Sequence, residues 1–350
     1  MTDDTTESGG DIGRALVAEM DQITWDRIGE GALENARRNQ RHLKRGRSLA
    51  ALRGLPVKQG DSAVVIAAGP SIKRKNPIAA LKQHGFDGAV VTTESAIYYC
   101  LSNGIVPDLV VTLDPHAKRI VRWFGDPNLT QEHLDADDYY RRQDMDEAFA
   151  NEMKLNEEVL ALLNQYGPRM RIALSTSASE AVVERVLDVG MEVYWWNPML
   201  DDPDQPGSRS LQLHRMNGLP CVNAGGNVGA AAWMMSHAVL GKKHVAITGM
   251  DFSYYDGTPY RNTQYYHEAV ALVGEGNLDR IYIRIHNPHL DRWYFTDPAY
   301  MWYREALLEM AEDAECTTYN CTEGGIVFGD NIEFIPLTEF LRLMAEKSDS

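Results

Sequence analysis

The chain has 350 residues, of which 44% are hydrophobic and 24% are charged, and its formal net charge is -16 at pH 7. This length allows one large domain or two ordinary ones, and the apolar content excludes a small disulfide-stapled protein and a wholly disordered one. The 50 acidic side chains outnumber the 34 basic ones. Such a surface repels a polyphosphate backbone, so nucleic acid is not an expected partner.

The cysteines predict a reducing compartment. Cys100, Cys221, Cys316 and Cys321 are widely spread and form no CxxC pair, so we expect reduced thiols. We find neither a secretory signal pattern nor an apolar run close to twenty residues. The sequence therefore predicts a cytoplasmic protein with no membrane span.

The N-terminal region divides into two parts. Residues 1–10 are small and polar, and we predict that they form a disordered tail. Residues 11–60 begin with apolar side chains at helical spacing, which predicts an N-terminal helical segment. A basic run over residues 37–47 either forms a solvated face or contacts a phosphate-bearing ligand.

From residue 61 to residue 330 short apolar runs alternate with helical patterns. Continuous apolar runs bounded by polar residues are typical of parallel strands that are covered on both faces. The alternation predicts the α/β class, a Rossmann-like, mainly parallel sheet flanked by helices. The predicted strands are Ser62–Ala68, Ala89–Thr93, Leu109–Leu113, Arg171–Ser175, Glu192–Trp196 and His244–Thr248, and the predicted helices are Ile78–His84, Ser95–Asn103, Ala178–Val189 and Asn227–Leu240.

Two further segments complete the expected organisation. Residues 126–165, approximately, contain no strand pattern and are predicted to be a helical insertion, either a lid over the strand ends or a surface decoration. Residues 331–350 are predicted to be a C-terminal helix and tail.

Glycines and acids follow the predicted strands. Gly69, Pro70 and Ser71 follow the first strand, where a missing Cβ and free N–H groups suit a nucleotide phosphate, although a tight turn with Ser71 as helix cap also fits. Asp114 leaves the third strand and is suited to a cation, a ribose hydroxyl or a helix cap.

The second half of the chain carries three more motifs. Asn223, Gly225, Gly226 and Asn227 precede a helix of small residues that either binds an anion or packs closely on the sheet. Asp251 ends a strand, and its loop leads to His267, the preferred general base of the ten histidines, although a surface histidine fits the spacing equally well. Thr322, Glu323 and Gly324 are expected in a ligand-contacting turn.

Taken together, AAGPS, GIVPDLVVTLDP, GGNVGAAAW, GMDFSY and YNCTEGG resemble the MptE-like domain. This domain is shared by archaeal 6-hydroxymethylpterin diphosphokinases and by the motility-associated factor (Maf) flagellin glycosyltransferases. The resemblance implies a Rossmann-like transferase that uses a nucleotide-activated donor. In the Maf branch it implies transfer of a nonulosonic, sialic-acid-like sugar from a CMP-activated donor, without a cofactor.

The pterin branch implies instead an ATP- and Mg²⁺-dependent diphosphokinase acting on 6-hydroxymethylpterin or a similar alcohol. That branch places two acids at the third strand's end, whereas TLDP has only Asp114, which would be the metal ligand. GMDFSY with a trailing histidine favours the Maf branch. A catalytically inactive nucleotide- or glycan-binding protein is the third interpretation.

Maf proteins carry long flanking regions that recognise flagellin, and the short flanks here leave the acceptor open: a protein, a glycan or a small molecule. An oligomer is compatible with the sequence. We assign His267 and Asp251 to catalysis, and to nucleotide or phosphate binding Gly69, Pro70, Ser71, Glu94, Asp114, Asn223, Gly225, Gly226, Asn227, Thr322, Glu323 and Gly324.

Overall fold

The structure, a computed structural model, describes residues 7–116, 118–136 and 152–348. It contains two sheets with helices between and around them. The strands are β1 (Glu7–Gly9), β2 (Arg47–Ser48), β3 (Ser62–Ile66), β4 (Ala89–Thr93), β5 (Leu109–Thr112), β6 (Arg171–Ser175), β7 (Glu192–Pro198), β8 (Cys221–Val222), β9 (His244–Thr248), β10 (Tyr254–Tyr255), β11 (Ile283–Asn287), β12 (Arg292–Thr296), β13 (Thr317–Asn320) and β14 (Ile332–Phe334).

The helices of the described residues are mostly short. They are α1 (Asp11–Val17), α2 (Met20–Thr24), α3 (Glu30–Asn39), α4 (Ser71–Lys75), α5 (Pro77–His84), α6 (Ile97–Ser102), α7 (Gln131–Ala136), α8 (Glu152–Tyr166), α9 (Glu180–Asp188), α10 (Arg209–Asn217), α11 (Val228–Met234), α12 (Tyr266–Val273), α13 (Pro298–Glu312) and α14 (Leu337–Ser348). Turns of 3-10 helix occur at Gln40–Arg45, Leu49–Leu52, Glu94–Ala96, Ile120–Phe124, Gly167–Arg169, Tyr260–Asn262 and Glu275–Arg280, and π turns at Trp25–Gly29 and Met235–Val239. Within these ranges every helix is too short or too polar to cross a lipid bilayer.

The larger sheet has ten strands in the order β14-β13-β9-β3-β4-β5-β6-β7-β2, with β8 also paired to β7. Its strand pairings are parallel, for example Ala63 with Ala89 and Val64 with Ala246. The predicted Rossmann-like, mainly parallel α/β fold is confirmed. The six predicted strands correspond to β3, β4, β5, β6, β7 and β9, with ends that differ by two residues at most.

Both faces of the large sheet are covered, which explains the continuous apolar runs. Val65, Val91 and Val111 point to one face and pack with the small residues of α11. On the other face Val64 and Val90 pack under α5 and α14. The central strands β3, β4 and β5 are buried on both faces. Neither face contacts solvent, so the alternation of apolar and polar residues typical of half-buried strands is absent from these strands.

The smaller sheet was not predicted. It is antiparallel, with the order β1-β11-β12-β10. Strands β10, β11 and β12 follow β9 along the chain, and β1 comes from the N-terminal region. Glu7–Gly9, which we placed in a disordered tail, pairs instead with Ile283–Ile285, so that prediction is wrong for these residues. The reason is that the edge of β11 presents unpaired backbone N–H and C=O groups, which Glu7–Gly9 satisfies by pairing. The small, polar composition of this segment gives no sign of such pairing.

The predicted helical insertion and C-terminal region agree in part with the structure. The described parts of residues 126–165 contain α7 and most of α8, while residues 137–151 lie outside the described residues. In the C-terminal region β14 precedes the expected helix, and β14 extends the large sheet beside β13.

Candidate functional site

The large sheet reverses its direction of growth at β3. From β3 the chain adds β4 on one side, and it later returns to place β9 on the other side. Parallel sheets of this kind bind ligands in the crevice at the carboxyl ends of the two strands that flank such a reversal. We call the side of the sheet where these strands end the carboxyl edge. Its crevice lies between Gly69, after β3, and Gly249, after β9.

The two turns of this crevice are joined by hydrogen bonds. The Gly69 amide donates to the Gly249 carbonyl oxygen at 2.8 Å. The Ser71 hydroxyl donates to Oδ2 of Asp251 at 2.7 Å, and the Ser71 amide approaches the same oxygen at 3.3 Å. Ser71 and Asp251 are 1% and 2% exposed. Asp251 therefore positions the Gly69-Pro70-Ser71 turn, and the Ser71 hydroxyl does not cap α4.

Glycine is required at position 69 because the crevice is narrow. A Cβ there would overlap Asp251 Oδ2 and the Gly249 carbonyl oxygen. A larger residue would thus separate the two turns, which agrees with the expectation that this glycine lets chains or ligands approach closely.

A small cavity of about 50 Å³ opens beside the crevice, and Ser71, Lys75, Thr322 and Glu323 are among the residues that line it. Lys75 Nζ lies 3.3 Å from Glu323 Oε1. Thr322 is buried, and its hydroxyl accepts a hydrogen bond from the Met250 amide at 3.3 Å. The cavity has room for a few water molecules or one small anionic group, so a nucleotide would extend outside it.

Gly324 belongs to the same wall of the crevice. A Cβ at Gly324 would contact the Tyr255 hydroxyl and Oδ1 of Asp251 at 3.0 and 3.1 Å. The Arg74 guanidinium lies 3.7 Å from the centre of the Tyr255 ring. Thr322, Glu323 and Gly324, in the turn after β13, thus lie near the turn after β3.

Two acids end the neighbouring strands β4 and β5. Glu94 is 4% exposed, and its Oε2 is buried without a hydrogen-bond partner among the described residues. Burial raises the pKa of Glu94 to about 8, and the negative charge of Asp114 adds to that rise. Glu94 is therefore mostly protonated at neutral pH. Glu94 and Asp114 lie close enough for their charges to interact.

Asp114 lies in a more mixed environment. Burial raises the pKa of Asp114, and a backbone hydrogen bond from His116 opposes the rise, as do the charges of His116, Arg119 and Arg27. The His116 amide donates to Asp114 Oδ1 at 2.7 Å, so this carboxylate also orders the turn that follows β5. No group of three His, Cys, Asp or Glu side chains within the described ranges is arranged to hold a metal ion.

The glycine-rich segment before α11 is largely occupied with its own turn. The carbonyl oxygen of the Asn227 side chain caps α11 by accepting from the Ala230 amide at 2.8 Å. Asn223 Oδ1 accepts from the Gly225 amide at 3.0 Å, and a Cβ at Gly226 would overlap the Trp302 ring. These contacts support the close-packing interpretation for the two asparagine oxygens. An anion would meet only the remaining backbone N–H groups of this turn.

His267 lies in the first turn of α12 and is exposed. Its ring centre is 5.3 Å from that of Tyr266, and the neighbouring Glu268 forms an ion pair with Arg27 at 3.1 Å. The sequence analysis paired His267 with Asp251, whereas the structure brings Asp251 to Ser71. A catalytic role for His267 stays a prediction.

The basic run pairs with acidic side chains of the same chain. Arg41 contacts Glu180, and Arg47 contacts Glu192. The two asparagines of α3 anchor this segment to the carboxyl edge: Asn35 donates to the Ser177 carbonyl oxygen at 2.9 Å, and Asn39 donates to the Thr176 carbonyl oxygen at 2.8 Å. These hydrogen bonds and ion pairs together hold the N-terminal segment against the sheet.

Two cations of the carboxyl edge were missed by the sequence analysis. Lys75 was signalled by the run Lys73-Arg74-Lys75 directly after the glycine turn. Arg27 had no such signal, because Glu268 follows it by 241 residues. Arg27 and Glu268 come together only in the folded chain.

A family model described as 6-hydroxymethylpterin diphosphokinase MptE-like matches residues 34–179. Among solved structures, the chain is similar to the MAf glycosyltransferase from Magnetospirillum magneticum AMB-1, with a TM-score of 0.51 and 14% identity. No curated protein matches the sequence.

The structural match covers 83% of this chain but 37% of the glycosyltransferase chain. At this identity it shows the fold alone. Residues 34–179 contain the turn after β3 and the acids Glu94 and Asp114, so the family match falls on part of the candidate site. The resemblance of this part of the chain to MptE-like proteins is confirmed.

Proposed function

We propose that this protein is a nucleotide-dependent transferase whose donor binds at the crevice between β3 and β9. The observation that carries the proposal is the joining of the Gly69 turn to Asp251 beside Lys75 and Glu323, at the point where the sheet reverses. A donor phosphate at this position would meet the Lys75 ammonium, provided that Glu323 gives up its ion pair.

The leading reaction is transfer of a nonulosonic sugar from a CMP-activated donor to an acceptor hydroxyl. The similarity to a structure titled MAf glycosyltransferase supports this branch. In such a transfer the bond between the sugar and the phosphate breaks, and negative charge develops on the leaving CMP. Positive groups at the crevice would stabilise that charge. His267 would accept the acceptor's proton as general base.

The second candidate is a diphosphokinase, and Glu94 beside Asp114 favours it. Their carboxylate oxygens are ligands that Mg²⁺ accepts together with water and substrate phosphates, although Glu94 would first have to lose its proton. When bound, Mg²⁺ would neutralise charge on the transferred diphosphate. The residues of this chain would hold the ion and orient the acceptor alcohol.

Ligand-dependent melting temperatures separate the two candidates. We expect CMP to raise the melting temperature without Mg²⁺ if the sugar-transfer proposal holds, by mass action on the folded state. ATP acting only with Mg²⁺ would favour the diphosphokinase instead. CDP, UDP and GDP serve as specificity controls. A chain that binds none of these nucleotides contradicts the proposal.

Catalysis is tested separately from binding. Incubation with CMP-N-acetylneuraminate and with candidate acceptors, followed by mass spectrometry of the products, detects transfer. We expect His267→Ala to lower turnover by ~10² to 10⁴ with folding intact, the range typical of a general acid or base. Unchanged turnover would remove His267 from this role. Binding without any product would support a protein that binds nucleotides without catalysis.

A further inference from the structure

The N-terminal segment reaches across the carboxyl edge of the large sheet and is held there by buried hydrogen bonds. Asn39 is fully buried and donates to the carbonyl oxygens of Thr176 and Ala178, both at 2.8 Å. Asn35 donates to the carbonyl oxygens of Pro115 and Ser177 at 3.1 and 2.9 Å. These contacts fix α3 over the turns that follow β5 and β6, next to Asp114.

Arg27 extends from the π turn just before α3 toward the same edge. One guanidinium nitrogen lies 3.1 Å from Oε1 of Glu268, and the guanidinium carbon lies 5.7 Å from the centre of the Tyr265 ring. Its positive charge also opposes the rise that burial causes in the pKa of Asp114. Arg27 therefore lies between the end of β5 and the helix that carries His267.

The Arg27–Glu268 pair is well placed for exchange with a ligand. The two side chains are 50% and 45% exposed, so water reaches both, and the pair is weakly held. A guanidinium binds carboxylate and phosphate groups through two parallel hydrogen bonds, and Glu268 already presents a carboxylate to it.

One of the two acids behind Arg27 carries little charge at neutral pH. Burial and the charge of Asp114 keep Glu94 mostly protonated at neutral pH. Lys75 lies at the crevice with Glu323 as its partner, so two cations of the carboxyl edge each contact a glutamate in the ligand-free chain.

We propose that Arg27 is a specificity-determining residue that binds a substrate oxyanion, a carboxylate or a phosphate, in exchange for Glu268. The proposal rests on the proposed function in one respect, namely that substrates bind at the carboxyl edge. With the donor phosphate at Lys75, the group that fits Arg27 best is the carboxylate of a sugar acid. A second phosphate group of the substrate would bind Arg27 through the same kind of contact as the carboxylate, but it belongs to a different part of the substrate.

The test compares the wild type with Arg27→Gln and Arg27→Lys. Arg38→Gln is the matched control, since Arg38 lies in the same segment and forms an exposed pair with Glu34. Titrations of N-acetylneuraminate, followed by saturation-transfer proton NMR, and of inorganic pyrophosphate, followed by phosphorus NMR, do not depend on knowing the nucleotide. We expect Arg27→Gln to lower the affinity for at least one of these anions about tenfold or more, because a charge-assisted bidentate contact is lost.

The two anions distinguish the two sources. Selective loss of N-acetylneuraminate binding identifies a carboxylate, and selective loss of pyrophosphate binding identifies a phosphate. Arg27→Lys should keep part of the affinity, and Glu268→Gln should raise the affinity because the competing carboxylate is removed. If Arg27→Gln and Arg38→Gln bind both anions like the wild type, or if the wild type binds neither, the assignment of Arg27 is wrong.

Failure of the proposed function gives a different pattern. In that case the nucleotide panel shows no stabilisation, while the anion titrations still depend on Arg27. A nucleotide that binds equally well to the wild type and to Arg27→Gln, together with unchanged anion binding, leaves the donor proposal intact and overturns only the role of Arg27.

Discussion

Replacing Glu94 by glutamine tests the central electrostatic feature of the carboxyl edge. The side chain is 4% exposed, and burial together with the charge of Asp114 raises the pKa of Glu94 from 4.5 to about 8. An acid whose pKa is higher in the folded state stabilises that state fully below the unfolded pKa. The stabilisation is lost as pH rises toward the folded pKa. The affected window therefore runs from about 4.5 to about 8.

The magnitude follows from proton linkage. Each pH unit inside the window costs the wild type about 1.4 kcal/mol in unfolding free energy, because the unfolded chain releases a proton that the folded chain keeps. Between about pH 5.5 and about pH 7.5 the loss at this residue amounts to about 2–3 kcal/mol, after allowing for partial ionisation of the folded state. Glutamine does not titrate, so Glu94→Gln lacks this loss and should be the more stable protein at the higher pH.

Urea denaturation at the two pH values measures the effect as the difference between the wild type and Glu94→Gln. The surface variant Glu34→Gln, whose side chain is 73% exposed, is the control for removal of a carboxylate. The Asp114→Asn variant should narrow this window from its upper end, because removal of the repelling charge lowers the pKa of Glu94 in the folded state. Equal pH dependence in the wild type and in Glu94→Gln would refute the conclusion that Glu94 is buried as a neutral acid.

Gly69→Ala should destabilise the protein by about 1–3 kcal/mol because its Cβ overlaps the opposite turn, whereas Gly276→Ala, with open space around its Cβ, should be tolerated; thermal melts compare the two. Asp251→Asn should cost about 1–3 kcal/mol, since the Ser71 hydroxyl loses a charged acceptor, and hydrogen exchange should show the turn after β3 opening more often. Asn39→Ala should cost about 2–3 kcal/mol because two buried hydrogen bonds are lost, and an unfolding free energy like that of the wild type would contradict docking of the N-terminal segment.

Sequence patterns were informative where local chemistry decides the structure. The apolar runs of β3, β4 and β9 are buried on both faces, so their composition alone marks them as central parallel strands. The antiparallel sheet was missed because its strands carry a different signal. β11 alternates buried isoleucines with more exposed polar residues, a short period-2 pattern of a half-buried strand that differs from the continuous apolar runs of the central strands.

The candidate site shows the same division. The positions of Gly69, Asp114 and Asp251 at strand ends followed from the alternation of strands and helices, because parallel strands all end on one side of the sheet. The side chains that these residues contact could not be predicted from this alternation. Asp251 is 180 residues from Ser71 in sequence, and the choice of Ser71 depends on β9 lying next to β3.

Local sequence is enough to predict the fold class, the central strands and the acids and glycines that follow them, since apolar patterning and turn chemistry are local properties. Which of these residues come together depends on the tertiary fold: Ser71 with Asp251, Glu94 with Asp114, and Arg27 with Glu268. Strand order and the path of the N-terminal segment set these contacts. Both depend on the packing of distant elements, which no short stretch of sequence encodes.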